Sequence, residues 1–249
     1  MKKILVSVFL ASIVFIAFAQ TADDVIGKHV EAMGGAEKLK SIKSIYMEGV
    51  AVSPNGAEIT TKTYKVQDKL FRQDIDFGMG SFSMIVTDKE GWFSNPRNGG
   101  AFEAFPAEAV SGQQHEMDCA GALLDYAAKG HKAELVGKET IDGAECYNIK
   151  LTLKSGKVIN YFIENKNWYI IRTSTKGSGG MFGGGGGRQG GPPADAEVKT
   201  NYSDFKKTAD GYVFPMTITR AGMGGRDMSS TIEKVEVNKP VDAKLFKPE

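Results

Sequence analysis

Apolar side chains recur along this chain with two different periods. Near the start, Val25, Ile26, His29, Val30 and Met33 share one side of a helix, Asp23 or Asp24 is placed to cap it, and Gly34-Gly35 ends it. A short helical turn over 36–39 follows. From Ile45 the period is two, which predicts strands over 45–52, 58–67, 70–77, 82–88, 91–95 and 101–105, joined by turns at 54–56, 67–69 and 78–80. In the third of these, Phe71, Ile75 and Phe77 alternate with Arg72, Asp74 and Asp76, so one face is dry and one is wet. Residues 107–129 interrupt the alternation. Met117, Leu123, Leu124 and Tyr126 stand at roughly helical spacing up to Gly130, which predicts a helix inserted mid-sheet that has to lie on a sheet face. Alternation returns over 133–141, 144–153, 158–164 and 169–176, then over 198–207, 212–221 and 228–237, before 240–246 packs the C-terminus down. In the second of the returning strands, Tyr147, Ile149, Leu151 and Leu153 oppose Asn148, Lys150 and Thr152.

Short connections between consecutive strands imply an antiparallel meander, because parallel neighbours need long crossovers. The predicted class is α+β: a strongly curved antiparallel sheet of about a dozen strands, a half-open barrel, with helices covering its concave face. An unusual share of large apolar residues, Phe82, Met84, Trp92, Phe93, Phe102 and Phe105, falls within 82–105, where a hairpin turning at 88–91 runs to a break at Asn95-Pro96. No ionisable cluster accompanies them, so they are wall, either of a solid core or of a greasy cavity. In the cavity reading the ligand-binding residues are Phe71, Ile75, Phe82, Met84, Trp92, Phe102 and Phe105, with Leu123, Leu124 and Tyr126 from the insert. An acyl chain is a physically sensible occupant: burial recovers about 0.8 kcal/mol per methylene, roughly 10 kcal/mol for an ordinary fatty chain, and soft side chains such as Met84 and Met117 adapt to its shape.

Composition narrows the setting. Met1-Lys2-Lys3, an apolar run and Ala17-Phe18-Ala19 have the three parts of a secretory signal peptide over 1–19, cleaved near Ala19, which leaves one domain over 20–249 outside the cytoplasm. The chain carries 31 basic and 30 acidic residues; without Lys2 and Lys3 the balance is 29 to 30, a net charge of -1, so nucleic acid is not an expected partner. Cys119 and Cys146 are able to pair in an oxidising compartment, but one is expected on a helix and the other in a strand, which favours two buried thiols. Residues 177–193 are glycine-rich and predict a flexible loop, in which Met181 and Phe182 are candidates for a movable lid or a partner contact. That loop lacks the Lys-Ser/Thr ending and the following helix of a phosphate cradle.

Chemistry is sparse. His115, Glu116, Asp118 and Cys119 offer metal-ligand atoms over five residues, but their spacing matches no zinc site and only His29 and His131 remain to complete one. They read as the polar start of a helix. With no nucleophile elbow and no paired carboxylates in context, neither a catalytic residue, a metal nor a cofactor is expected.

The stretch 85–96, Ile-Val-Thr-Asp-Lys-Glu-Gly-Trp-Phe-Ser-Asn-Pro, resembles the Val-Ser-Asp-Gly-x-x-x-Trp-Phe-Tyr-Asn-Pro hairpin of the periplasmic lipoprotein carrier family LolA. Leu70-Phe71 stands one hairpin upstream where that family has Leu-Phe, and 241–246, Val-Asp-Ala-Lys-Leu-Phe, is similar to its C-terminal strap. Gly34-Gly35, Lys38-Leu39, Tyr202-x-x-Phe205 and 210–215 resemble the Bacteroidetes-type outer membrane lipoprotein-sorting relatives. The resemblance implies a periplasmic protein that holds lipid or lipoprotein acyl chains between an unclosed barrel and a lid, with transient membrane contact compatible with that role. It also admits a non-enzymatic sensor module that touches an envelope protein. The family's Arg-Pro, whose arginine holds the lid, is replaced here by Gln67-Asp68.

Overall fold

A computed structural model of the chain describes residues 20–53, 56–94, 99–176, 196–221 and 227–248. The expected signal peptide, the turn residues 54–55, the break at Asn95-Pro96 and the glycine-rich loop with Met181 and Phe182 lie outside the described residues.

The first helix, α1 (Ala22–Ala32), is capped by Thr21 rather than by an aspartate. The Thr21 hydroxyl accepts the Asp24 N–H while the Asp24 carboxylate accepts the Thr21 N–H at 2.9 Å, so Asp24 is the reciprocal partner in a capping box. Gly34 and Gly35, at φ 115° and 91°, turn the chain out of α1 in a conformation that side chains resist, and the short helix α2 (Ala36–Lys40) follows.

Among the described residues thirteen strands then form one antiparallel sheet. They are β1 (Ser44–Val52), β2 (Glu58–Val66), β3 (Leu70–Asp76), β4 (Ser81–Thr87), β5 (Gly91–Ser94), β6 (Phe102–Ala104), β7 (Lys132–Ile141), β8 (Ala144–Thr152), β9 (Val158–Glu164), β10 (Ile170–Lys176), β11 (Glu197–Lys207), β12 (Val213–Ala221) and β13 (Asp227–Val237). Their order is β6-β5-β4-β3-β2-β1-β13-β12-β11-β10-β9-β8-β7. The meander is joined in its middle by β1 pairing with β13, and its two edges are β6 and β7, which are consecutive in the chain. The segment between them therefore has to travel from one edge of the sheet to the other.

That segment opens as the helix α3 (Ala107–Gln113) and a 3-10 turn, Gln114–Met117. Its second half is a series of turns, not the expected helix. Gly121 and Asp125, at φ 86° and 49°, break the helical path, and the chain is held instead by short bonds such as Leu124 N–H to Gly121 O at 3.3 Å. Leu123 and Leu124 are buried all the same, with Cys119 and Ala122, among Val25, Ile26 and Val30 of α1 and Tyr147, Ile149, Leu151, Ile159 and Ile163 of β8 and β9. A second cluster joins Val110 and Met117 to Phe71, Met84 and Val86, with Phe82 and Phe105 at its margin. Cys119 belongs to the first cluster, whereas Cys146 packs with Ile141 and Phe162 on the other face of the sheet; both thiols are free.

Gly91 faces Val110 and Phe105 across this second cluster. A Cβ there would stand 3.0 Å from the Phe105 ring, 3.1 Å from the Ile85 carbonyl and 3.2 Å from Val110, and the carbonyl cannot swing aside. Gly91→Ala is expected to cost about 1–3 kcal/mol of stability, read from urea unfolding, as overpacking does.

Candidate functional site

The ladder registers assign the two faces of the sheet residue by residue. Phe71 is paired with Lys65 and Val86, Gln73 with Thr63 and Met84, and Ile75 with Thr61 and Phe82, so these share a face. The same face continues through Met47 and Ala51 of β1, Ser230 and Met228 of β13, Ile218 and Arg220 of β12, Thr200 and Tyr202 of β11, and Thr173 of β10, to Tyr161 and Tyr147. Both of its ends are apolar and buried. Its middle is mixed, with Met47, Ile218, Tyr202 and Tyr161 half-buried beside Thr61, Gln73 and Thr173, so the dry side expected from 70–77 does not extend across the whole face. Among the polar residues there, Gln73 donates to Thr63 at 3.1 Å, and Thr173 and Tyr202 are hydroxyl partners at 3.3 Å.

Of the expected site residues, Phe71, Ile75, Phe82 and Met84 lie on this face, Phe105 packs beside them, and Leu123, Leu124 and Tyr126 meet it from the insert. Trp92 and Phe102 do not. Trp92 is paired with Ile85 and Phe102 with Ser94 on the opposite face, and it is Phe93 that opposes Met84 and stacks on Phe105 at 4.9 Å. On that opposite face the C-terminal 3-10 turn Ala243–Phe246 reaches β3, where Arg72, bonded through Nε to both Asp74 oxygens, also donates to Leu245 O at 3.3 Å. A groove of about 360 Å³ lies there too, lined by Tyr46, Tyr64, Lys234 and Leu245 among others. Two of its polar groups already have partners: Tyr46 donates to Glu48 at 2.8 Å and the Lys234 ammonium stands over the Tyr46 ring.

Lys65 and Lys157 carry the feature that sequence reasoning missed. Lys65 on β2 stands 3.4 Å from Glu116 of the insert, Glu116 stands 3.5 Å from His115 Nε2, and the Lys157 ammonium donates to that same nitrogen at 3.4 Å. β2 and β9, which Lys157 immediately precedes, are six places apart in the sheet, roughly 29 Å if it were flat. One carboxylate and one imidazole bridge them, so the sheet bends over this face, which is its concave side. Burial pushes the Glu116 carboxyl upward, but Lys65 foremost, with His115, Lys157 and Arg220, outweighs it and holds the group down to about 2. Burial, helped by Lys157 and Lys65 and opposed by Glu116, brings His115 down to about 4, so its ring is neutral at pH 7. Burial pushes both cysteine thiols up to about 11, which leaves them protonated and unsuited to nucleophilic work.

The insert is fastened to the same corner. Gln67 Oε1 accepts the Cys119 N–H at 2.8 Å, and the Asp68 N–H donates to Met117 O at 3.4 Å. On its other side Tyr126 donates to Asp23 at 2.6 Å and Lys40 pairs with Asp125 at 2.8 Å, tying the insert to α1 and α2. Gln67→Ala is expected to remove about 1 kcal/mol and to speed hydrogen exchange at the Cys119 amide while leaving β8 protected.

The fold has known counterparts among solved structures, although no family model and no curated protein sequence matches the chain. A LolA superfamily protein of Nitrosomonas europaea superposes with a TM-score of 0.55 at 14% identity, over 92% of this chain and 99% of that one. The chain has the LolA-like fold. A DUF1329 family protein of Desulfovibrio piger gives 0.56 at 13% identity over 92% and 98% of the two chains. A domain from Vibrio parahaemolyticus named for outer membrane lipoprotein sorting gives 0.52 at 9% identity over 90% and 94%. At 67–68 this chain fastens its insert with the Gln67 side chain and the Asp68 backbone.

Proposed function

We propose that this protein is a non-enzymatic periplasmic carrier that binds acyl chains of lipids or lipoproteins on the concave face of its sheet, in envelope lipid or lipoprotein traffic. In this reading residues 1–19 are a signal peptide removed near Ala19, and 20–249 form a single half-barrel domain whose helical segments cover the concave side. The observation that carries it is the middle of that face. Met47, Ile218, Tyr202 and Tyr161 stay half-buried between the two fastening points of the insert, so this face offers a partly open row of large apolar and aromatic side chains of the kind an acyl chain can lie on. Phe71, Ile75, Phe82, Met84 and Phe105 line one end of the wall and Leu123, Leu124 and Tyr126 close it; Trp92 and Phe102 drop out of it. The shared fold with a domain named for lipoprotein sorting supports the same reading.

Native mass spectrometry of the protein purified from its own envelope tests it. A retained adduct of lipid mass is expected, and Met47→Asp, which sets a charge in the middle of the wall, is expected to remove it. A lipid-free spectrum in which a second protein co-purifies stoichiometrically would replace the carrier by an interaction module.

A further inference from the structure

Around Glu116 the cationic groups outnumber the carboxylate. Lys65 foremost, with His115, Lys157 and Arg220, acts on the single carboxylate of Glu116, and the His115 ring is itself neutral at pH 7. Among the described residues no carboxylate lies within ion-pair distance of Lys157, whose ammonium is held only by His115 Nε2 at 3.4 Å. Burial lowers Lys157 and the field of Glu116 alone opposes this, as expected of an ammonium short of an anion. Asp118, the next carboxylate along the insert, is engaged by Lys129. Glu116 itself is on a four-residue 3-10 turn and its side chain keeps 37% of its surface open, so the cluster is enclosed but not sealed. Beside it lies Phe71, over whose ring Lys65 stands at 5.4 Å, and the field of Glu116 reaches Tyr161.

We infer that Lys65 and Lys157 form a receptor for the anionic head group, carboxylate or phosphate, of an acyl lipid whose chain lies on the adjoining apolar wall, with Glu116 as the resident anion that the head group joins or displaces. This rests on the acyl-chain reading above and adds to it the charge of the ligand. An anion placed between the two ammoniums gives Lys157 the partner it lacks and gains charge-assisted hydrogen bonds in a partly enclosed site. A neutral head group would leave the surplus charge uncompensated, so the site discriminates by charge as well as by chain.

Oleate and oleyl alcohol share one chain and differ at the head, so titrating each below its aggregation concentration, with inorganic phosphate alone as a third arm, is the test. The parent is expected to bind oleate about tenfold or more tightly than oleyl alcohol, one charge-assisted hydrogen bond being enough for that ratio. Lys157→Met, which leaves the Lys65–Glu116 pair intact, is expected to erase the preference while keeping affinity for the alcohol. Glu116→Gln is expected to widen it, a gain that a purely structural role for the cluster would not produce; a thermal midpoint near the parent's checks that each variant folds. Equal affinity of the parent for the two ligands would overturn the head-group site and leave acyl-chain binding standing. Binding of neither would end both readings, and phosphate binding as tightly as oleate would assign the site to the free anion instead of a lipid.

Discussion

Phe71→Ala is expected to lower the free energy of unfolding by about 3–5 kcal/mol, the usual range for removing a buried aromatic ring without collapse of its surroundings. Phe71 is 5% exposed and packs with Met84, Val86, Val110 and Met117, so it is the residue through which β3 and β4 hold α3 and the 3-10 turn after it. Its ring also lies under the Lys65 ammonium. The loss should therefore be larger than that of Phe82→Ala, whose ring is only partly buried at the margin of the same cluster. Urea unfolding of the two variants decides the point; equal losses would mean that the insert is not seated on Phe71.

Acid is expected to destabilise the protein well before carboxylates in general are protonated. His115 has an ordinary value of 6.5 and a folded value of about 4, so between those limits the unfolded chain binds the proton more tightly and protonation favours unfolding. The stabilisation is complete above about pH 6.5 and is lost as the pH falls toward 4, by about 3 kcal/mol in all for this one ring. His29, lowered chiefly by burial and bonded through Nδ1 to Trp168 O at 2.9 Å, and His131, lowered for the same first reason, act in the same direction. Glu116 takes over below: its folded value of about 2 lies under the ordinary 4.5, so its contribution is present above 4.5 and disappears as the pH falls through that window. Urea unfolding at steps from pH 8 to 4 should show the decline, and His115→Gln should flatten the part between 6.5 and 4. An unchanged slope in that variant would place the acid-sensitive group elsewhere.

The sheet was legible because alternation is a local signal: strand after strand in 133–176 and 197–237 begins and ends within a residue or so of where apolar and polar side chains stop alternating. Faces were harder. Whether Trp92 or Phe93 joins Met84 depends on the length of one turn, closed by Thr87 N–H to Glu90 O at 2.8 Å, and that register sends Trp92 to the far side. The insert misled for a related reason. Its apolar spacing is helical, but Asp125 at φ 49° is a backbone state that the spacing does not encode. The Lys65–Glu116–His115–Lys157 cluster joins residues far apart in the chain across a bent sheet, and composition shows such a cluster only as scattered charges. A trace of it existed in 58–66, where Ile59, Thr61, Thr63 and Lys65 alternate with Thr60, Lys62, Tyr64 and Val66, two sets that each mix apolar and polar residues, so that strand alone could not say which way it faced.

Photocrosslinking with a diazirine-bearing fatty acid, followed by mapping of the modified residues, tests most directly whether the bent sheet holds acyl chains on its inner side. Adducts are expected on Met47, Met84 and Tyr161, which share the concave face, with none on Tyr46, Trp92 or Phe102. Adducts confined to those last three residues, or none at saturating probe, would contradict the account.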